Sequence, residues 1–189
     1  MCIRDREKVE RVSSLIGEAV FSADRKYRYW LTREFAYGSD KSDTVTFLML
    51  NPSTADEMQD DPTIRRCIGF ARVWGYGQLI ITNIFGLRST DPQGIYDDDN
   101  PIDHCGGYTN NRYIRLAARK SDLVVCAWGN HGAVGDRGYF VEKMLREDPS
   151  ISCDIKCLGV NATGHPKHPL YLPSDSKLQE FSLMNLLNS

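Results

Sequence analysis

The sequence predicts an α/β protein: a three-layer α/β/α arrangement with a mainly parallel sheet of about four strands, preceded by an N-terminal β-hairpin. Three observations predict it. Four short apolar runs, Thr44 to Leu50, Leu79 to Phe85, Leu123 to Trp128 and Ile155 to Leu158, have the pattern of strands buried on both faces. Segments with apolar residues at helical spacing separate the first three, and such alternation produces crossovers that cover both faces of a parallel sheet. Unusual polar residues gather just after the strands, where ligands bind in sheets of this kind.

Taken in order, residues 1–6 (Met-Cys-Ile-Arg-Asp-Arg) read as a translated sequencing-adapter scar and are set aside, leaving residues 7–189 as one α/β domain. Val9, Val12, Leu15 and Ile16 are three, three and one residues apart, which predicts an amphipathic helix over 7–17. Ala19 to Phe21 and Tyr27 to Phe35 bracket the polar Asp24-Arg25-Lys26, the signature of a hairpin forming an antiparallel edge. After Thr44 to Leu50 and an acidic loop, Asp61 precedes Pro62. An Asp cap with proline at the first helical position predicts a helix start, with Ile64, Ile68, Phe70 and Ala71 on its apolar face and an end near Gly75. The second apolar run leads into a Gly- and Asp-rich loop from Gly86 to Gly107, of a length that is usually functional or disordered. Tyr108 to Lys120 and Tyr139 to Leu145 have helical spacing, and Leu178 to Leu187 is expected to close the chain as a helix.

With 189 residues, 41% hydrophobic and 25% charged, the chain has the composition of one ordinary globular domain. No run approaches the roughly 18 apolar residues of a membrane span, and the expected location is cytoplasmic, as a monomer. The six cysteines are scattered, and Cys153 and Cys157 lack zinc-knuckle spacing, so neither a metal nor another cofactor is expected. A formal charge of −2 gives no global attraction to nucleic acid, so any such binding would depend on a local basic face.

The strand ends carry the chemistry. Asn51, fixed by Pro52 directly after a buried strand, can accept from a water and donate to a ligand; its simpler role is an Asx turn that stops the strand. Gly164 to Leu172 (GHPKHPLYL) holds His165 and His168, each followed by proline. An imidazole on such fixed backbone can stabilise an oxyanion or exchange a proton near neutral pH. Arg65, Arg66 and Arg72 are read first as a solvated helix face, whereas Arg88 and Lys167 lie in strand-end loops within reach of a phosphate. A nucleophile elbow and a phosphate-cradling GxxxxGKS are both missing, which excludes serine-type acyl transfer and NTP hydrolysis.

MLNPSTAD (Met49 to Asp56), DDPT (Asp60 to Thr63) and GHPKHPLYL resemble an uncharacterised bacterial and phage family named for its lack of assigned function, over roughly residues 19 to 175. More remotely, Asn51-Pro52, Asn83, Trp128-Gly129 and His168-Pro169-Leu170 resemble, in order, the motifs of the uracil-DNA glycosylase superfamily. That resemblance implies a glycosylase-like fold and removal from DNA of a deaminated or modified pyrimidine, phage-hypermodified bases included. It further implies that Asn51 positions or activates water, that Asn83 binds the flipped base with Pro52, Ser53 and Trp128 beside it, and that His168 stabilises the departing base. Arg65, Arg66, Arg88, His131 and Lys167 would then contact nucleic acid. The chain departs from the superfamily pattern at Leu50 and in the doubled His-Pro, which leaves His165 a rival to His168. Because an amide takes no proton, Asp56 or Asp61 is an alternative base. Two other functions use the same residues: a non-catalytic module binding a nucleotide or modified base, and a hydrolase of free nucleosides or nucleotides.

Overall fold

The computed structural model describes residues 8–14, 17–35 and 43–184. The reading of residues 1–6 as a scar lies outside them, as do Leu15, Ile16 and the end of the expected closing helix.

Among the described residues eight strands form one mixed sheet: β1 (Val9–Ser13), β2 (Glu18–Ser22), β3 (Arg28–Glu34), β4 (Thr44–Met49), β5 (Gln78–Asn83), β6 (Leu123–Cys126), β7 (Asp154–Cys157) and β8 (Gln179–Glu180). Their spatial order is β1-β2-β3-β5-β4-β6-β7-β8. Pairings β4–β5, β4–β6 and β6–β7 are parallel, whereas β1–β2, β2–β3, β3–β5 and β7–β8 are antiparallel. The expectation of a mainly parallel, glycosylase-like sheet of about four strands is therefore wrong. The four apolar runs do form the parallel centre, but antiparallel strands extend it on both sides. The physical reason is that an edge is extended by backbone hydrogen bonds, which are common to all residues but proline and leave no periodic trace in the side chains.

The hairpin β2–β3 is likewise not an appended edge. Every residue of β3 from Arg28 to Arg33 is buried, and its Leu31 pairs with Ile81 of β5, so the strand sits well inside the sheet. The helix expected over 7–17 is instead β1, whose residues are mostly exposed; its apolar spacing marked no core-facing stripe, and pairing with β2 decided its state. The described part of the expected closing helix, Leu178 to Met184, is β8 followed by irregular chain. Phe181 and Leu183, two residues apart, are both buried, the spacing of an extended segment rather than a helix.

The described residues also form four α-helices, α1 (Pro62–Val73), the single turn α2 (Gly94–Asp97), α3 (Tyr108–Arg119) and α4 (Arg137–Arg146), and two 3-10 helices, Asn130–Asp136 and Pro169–Tyr171. The Asp61 side chain accepts from the Ile64 N–H at 2.9 Å with Pro62 at the first position, as the sequence indicated. Ile64, Cys67, Phe70 and Ala71 of α1 pack on Val45, Phe47, Ile81 and Val125 on one face of the sheet. Ile114, Ala118, Val141 and Leu145 of α3 and α4 pack on Leu48, Val124, Cys126 and Ile155 on the other. Cys67, Cys105, Cys126, Cys153 and Cys157 are free thiols. No described helix is long and apolar enough to cross a membrane.

This topology brings three parallel carboxyl ends, after Met49, Asn83 and Cys126, to one end of the sheet. Because β3 runs antiparallel to β5, its first residue, Arg28, is delivered to that same end.

Candidate functional site

At that end lies a cavity of about 690 Å³, lined among others by Arg28, Asn51, Ser53, Asp61, Asn83, Trp128, His131, Lys167 and His168. Arg28 and Asn83 come from strand ends and the others from the segments that follow the strands.

Asn51 and Ser89 staple two strand-end loops together. The Asn51 Nδ2 donates to the Ser89 carbonyl at 2.9 Å and to the Pro52 carbonyl at 3.2 Å, while the Ser89 N–H donates to the Pro52 carbonyl at 2.9 Å. Both Asn51 amide protons are thereby directed at backbone, and its Oδ1, without a protein donor among the described residues, remains an acceptor. The Asx turn expected of Asn51 is not formed, because the backbone bonds of its side chain are made by Nδ2 as donor and not by Oδ1 as acceptor.

Asn83 ends β5 and is only 2% exposed. Its backbone carbonyl accepts from Asn110 Nδ2 at 3.0 Å, and the same amide donates to the Ile84 carbonyl at 3.0 Å. Asn110 is itself placed by the fully buried Asp103, which accepts from its N–H at 2.8 Å. The strand end is thus held from the α3 face, yet neither atom of the Asn83 amide has a partner among the described residues. A buried amide normally finds partners, so this one offers a donor and an acceptor to whatever fills the cavity.

The two histidines separate cleanly. His168 lines the cavity, and its Nδ1 accepts from the Leu170 N–H at 3.3 Å. That bond assigns the proton to Nε2. Burial lowers the His168 pKa below 6.5 against the opposing pull of Asp61, so the ring is a neutral donor at neutral pH. His165 is not on the cavity wall; its Nδ1 accepts from the Trp128 Nε1–H at 3.3 Å. Its pKa is likewise lowered by burial. Trp128 is 1% exposed, and Gly132 and Gly138 make room for it: a β-carbon at Gly132 would stand 2.1 Å from Trp128 Cδ1. Gly129, which follows at φ 72°, has the left-handed backbone that glycine adopts without strain. Its N–H donates to the Pro166 carbonyl at 2.9 Å, docking the His-Pro loop.

Of the two carboxylates suggested as a base, Asp61 lines the cavity and Asp56 does not. Asp56 is raised by burial, but the Met58 and Gln59 N–H groups and Arg33 outweigh that and lower its pKa overall. It is a turn-forming group, held with its loop by Arg33, which donates to the Asp56 carbonyl at 2.5 Å and to Asp60 at 2.7 Å. Among the residues on the wall, Asp61 is the sole carboxylate.

Pro52, Arg65, Arg66 and Arg88 also lie off the cavity wall. Arg65 donates to the Asp60 carbonyl, Arg66 to the Leu172 carbonyl while covering the Phe70 ring, and Arg88 to the Arg25 carbonyl while covering Phe21. Arg72 covers Phe35. These contacts hold the guanidinium groups of Arg65, Arg66 and Arg88 against the chain, with Arg65 and Arg72 exposed. His131 is on the wall, its Nδ1 2.8 Å from the Tyr96 hydroxyl, as is the exposed Lys167.

Sequence reasoning missed Arg28, Thr63, Ser89, Thr90 and Asn161 on this wall, together with Tyr171, which is 84% exposed at the rim. For Arg28 a signal existed: a charged residue inside an aromatic strand pattern. The others are ordinary loop residues whose meeting depends on the fold. Among the described residues no group of three or more His, Cys, Asp or Glu is arranged to hold a metal ion.

A family model described as "Protein of unknown function (DUF1643)" matches residues 28–170. All lining residues except Tyr171 and Leu172 fall inside that match. No curated protein and no solved structure matches.

Proposed function

We propose that this chain, which belongs to the DUF1643 family, hydrolyses the N-glycosidic bond of a deaminated or modified pyrimidine nucleotide, with DNA as the first candidate carrier. The observation that supports the reading is the convergence of Asn51, Asn83 and His168 in one cavity with complementary chemistry. The free Asn83 amide suits the alternating donors and acceptors of a pyrimidine edge. Asn51 Oδ1 accepts a hydrogen bond from the attacking water, and the Asp61 carboxylate takes the proton that water gives up. As water bonds to the anomeric carbon, the carbon–nitrogen bond breaks and its electron pair leaves with the base. The neutral His168 Nε2–H donates to the developing base anion, a stabilisation worth about 10²- to 10³-fold in rate when the donor is fixed in advance.

A specific observation favours a second reading, a free nucleotide as substrate. Arg65, Arg66 and Arg88 do not line the cavity, which leaves Arg28, Lys167 and His131 as the basic side chains on its wall, few for the phosphate contacts that supply much of the affinity for DNA.

The test uses single- and double-stranded DNA carrying uracil, hydroxymethylated or glucosylated pyrimidines, alongside free pyrimidine nucleosides and 5′-monophosphates. Released base and alkali-labile sites are measured. Base release from at least one substrate is expected, falling at least about 100-fold in Asp61→Asn, since asparagine caps a helix as well as aspartate and leaves α1 intact. No release from any substrate refutes hydrolysis and leaves a non-catalytic binding module.

A further inference from the structure

Arg28 is a buried cation with no carboxylate in ion-pair contact among the described residues, although Asp61 and, more weakly, Asp56 favour its charge from a distance. The residue is 2% exposed, and Nη1 donates to the Ala55 carbonyl at 2.6 Å. Its Nε is buried with no partner, and Nη2 has none among the described residues. The neighbouring arginines differ. Arg33 reaches Asp60 at 2.7 Å and bonds three backbone carbonyls, and Arg25 reaches Glu57 at 3.6 Å. Arg137, also buried, donates to the Ile84 carbonyl at 2.7 Å and to Asn111 Oδ1 at 2.6 Å, and it is not on the cavity wall. Those guanidinium groups are structural; Arg28 lines the cavity with donors to spare.

A buried guanidinium whose donors are only partly satisfied is costly, and at a cavity wall its spare donors are open to a ligand. The ligand's matching group is an oxyanion, because guanidinium donors pair best with carboxylate or phosphate oxygens. The surroundings agree in part. The amino end of α1 opens on the same cavity through Thr63 and Ile64 and adds partial positive charge. Asp61 opposes it, so the site is selective for an anion placed on Arg28 rather than a general trap for negative charge.

We propose that Arg28 forms an anion subsite of this cavity, binding the oxygens of a carboxylate or phosphate carried by the ligand. The inference rests on the reading of the cavity as a nucleotide site, and it restricts that reading. The nucleotide enters with an anionic group inward, either an acidic substituent on the base or the phosphate of a free nucleotide.

Binding is measured on the full chain by calorimetry with two matched pairs: uridine against uridine 5′-monophosphate, and uracil against 5-carboxyuracil. In at least one pair the anionic member binds at least about tenfold more tightly, the size expected of a charge-assisted bond. A preference within the first pair identifies phosphate as the source, and one within the second identifies the base substituent. Arg28→Lys and Arg28→Gln shrink that preference to under about threefold. Equal affinities within both pairs in the wild-type chain, which needs no variant to fold, overturn the proposal. So does a preference that survives Arg28→Gln and vanishes in Lys167→Ala, which would place the anion at the rim. The outcomes also separate from those of the parent reading. Anion preference without base release supports the subsite and removes hydrolysis, whereas base release with equal affinities removes only the subsite.

Discussion

Replacing His168 and His165 by alanine, one at a time, separates two histidines three residues apart by two different measurements. His168→Ala removes the Nε2–H donor from the cavity wall and the acceptor for the Leu170 N–H. Loss of one fixed donor is expected to lower the single-turnover rate of base release about 10²- to 10³-fold. The lost bond to a partly exposed backbone N–H costs about 1 kcal/mol. His165→Ala leaves the cavity wall as it is but strips the acceptor from the Trp128 Nε1–H, on a side chain that is 1% exposed. A buried donor left unsatisfied costs about 1–3 kcal/mol. In a chain of 189 residues, each kcal/mol shifts Tm by about 2–4 °C, so His165→Ala should melt about 2–12 °C below the wild type. Its rate of base release, measured well below that transition, should stay within about fivefold of wild type. Single-turnover kinetics and thermal denaturation on the same preparations give both numbers. A His165 variant that loses activity at unchanged Tm, beside a His168 variant that retains it, would refute the assignment.

Two further predictions follow from the same geometry. Asn83→Ala should lower kcat/KM at least about 100-fold with Tm within about 3 °C of wild type, because its side-chain amide has no protein partner to lose while its backbone carbonyl keeps the Asn110 bond; a large fall in Tm with little change in kcat/KM would show the amide to be structural. The pH dependence has a definite sign: the folded His168 pKa is depressed by burial, against Asp61, below its unfolded value of about 6.5. The stability tied to the neutral ring is therefore complete above about pH 6.5 and lost as pH falls through the folded pKa, and kcat should rise with pH to a plateau by about 6.5. A kcat that instead declines from pH 5 to 7 would make the imidazolium the active form.

Much of this was legible in the sequence for local reasons. Asp61 and Pro62 specify a helix start through one side-chain bond and one fixed dihedral, both within four residues. The runs from Thr44, Leu79 and Leu123 announced the buried centre of the sheet because strands covered on both faces have no polar alternation to hide them, whereas the strand at Ile155 alternates between buried and more exposed residues. With parallel strands inferred, Asn51, Asn83 and Trp128 followed as residues at one end. Val9 and Val12 misled because two apolar residues at helical spacing do not oblige a helix when the residues between them are exposed.

By itself the sequence determined the parallel centre, the capped helix and the chemistry available at the strand ends, since each depends on neighbours in the chain. Tertiary structure alone decided which of these groups meet. It set His168 on the wall and His165 behind Trp128, and it turned Arg65, Arg66 and Arg88 toward backbone carbonyls. Above all, it ran β3 antiparallel to β5, so that the amino end of one strand lies at the carboxyl ends of the others. Strand direction is chosen by pairing between distant segments, and that choice alone brings Arg28 into the cavity beside Asn83.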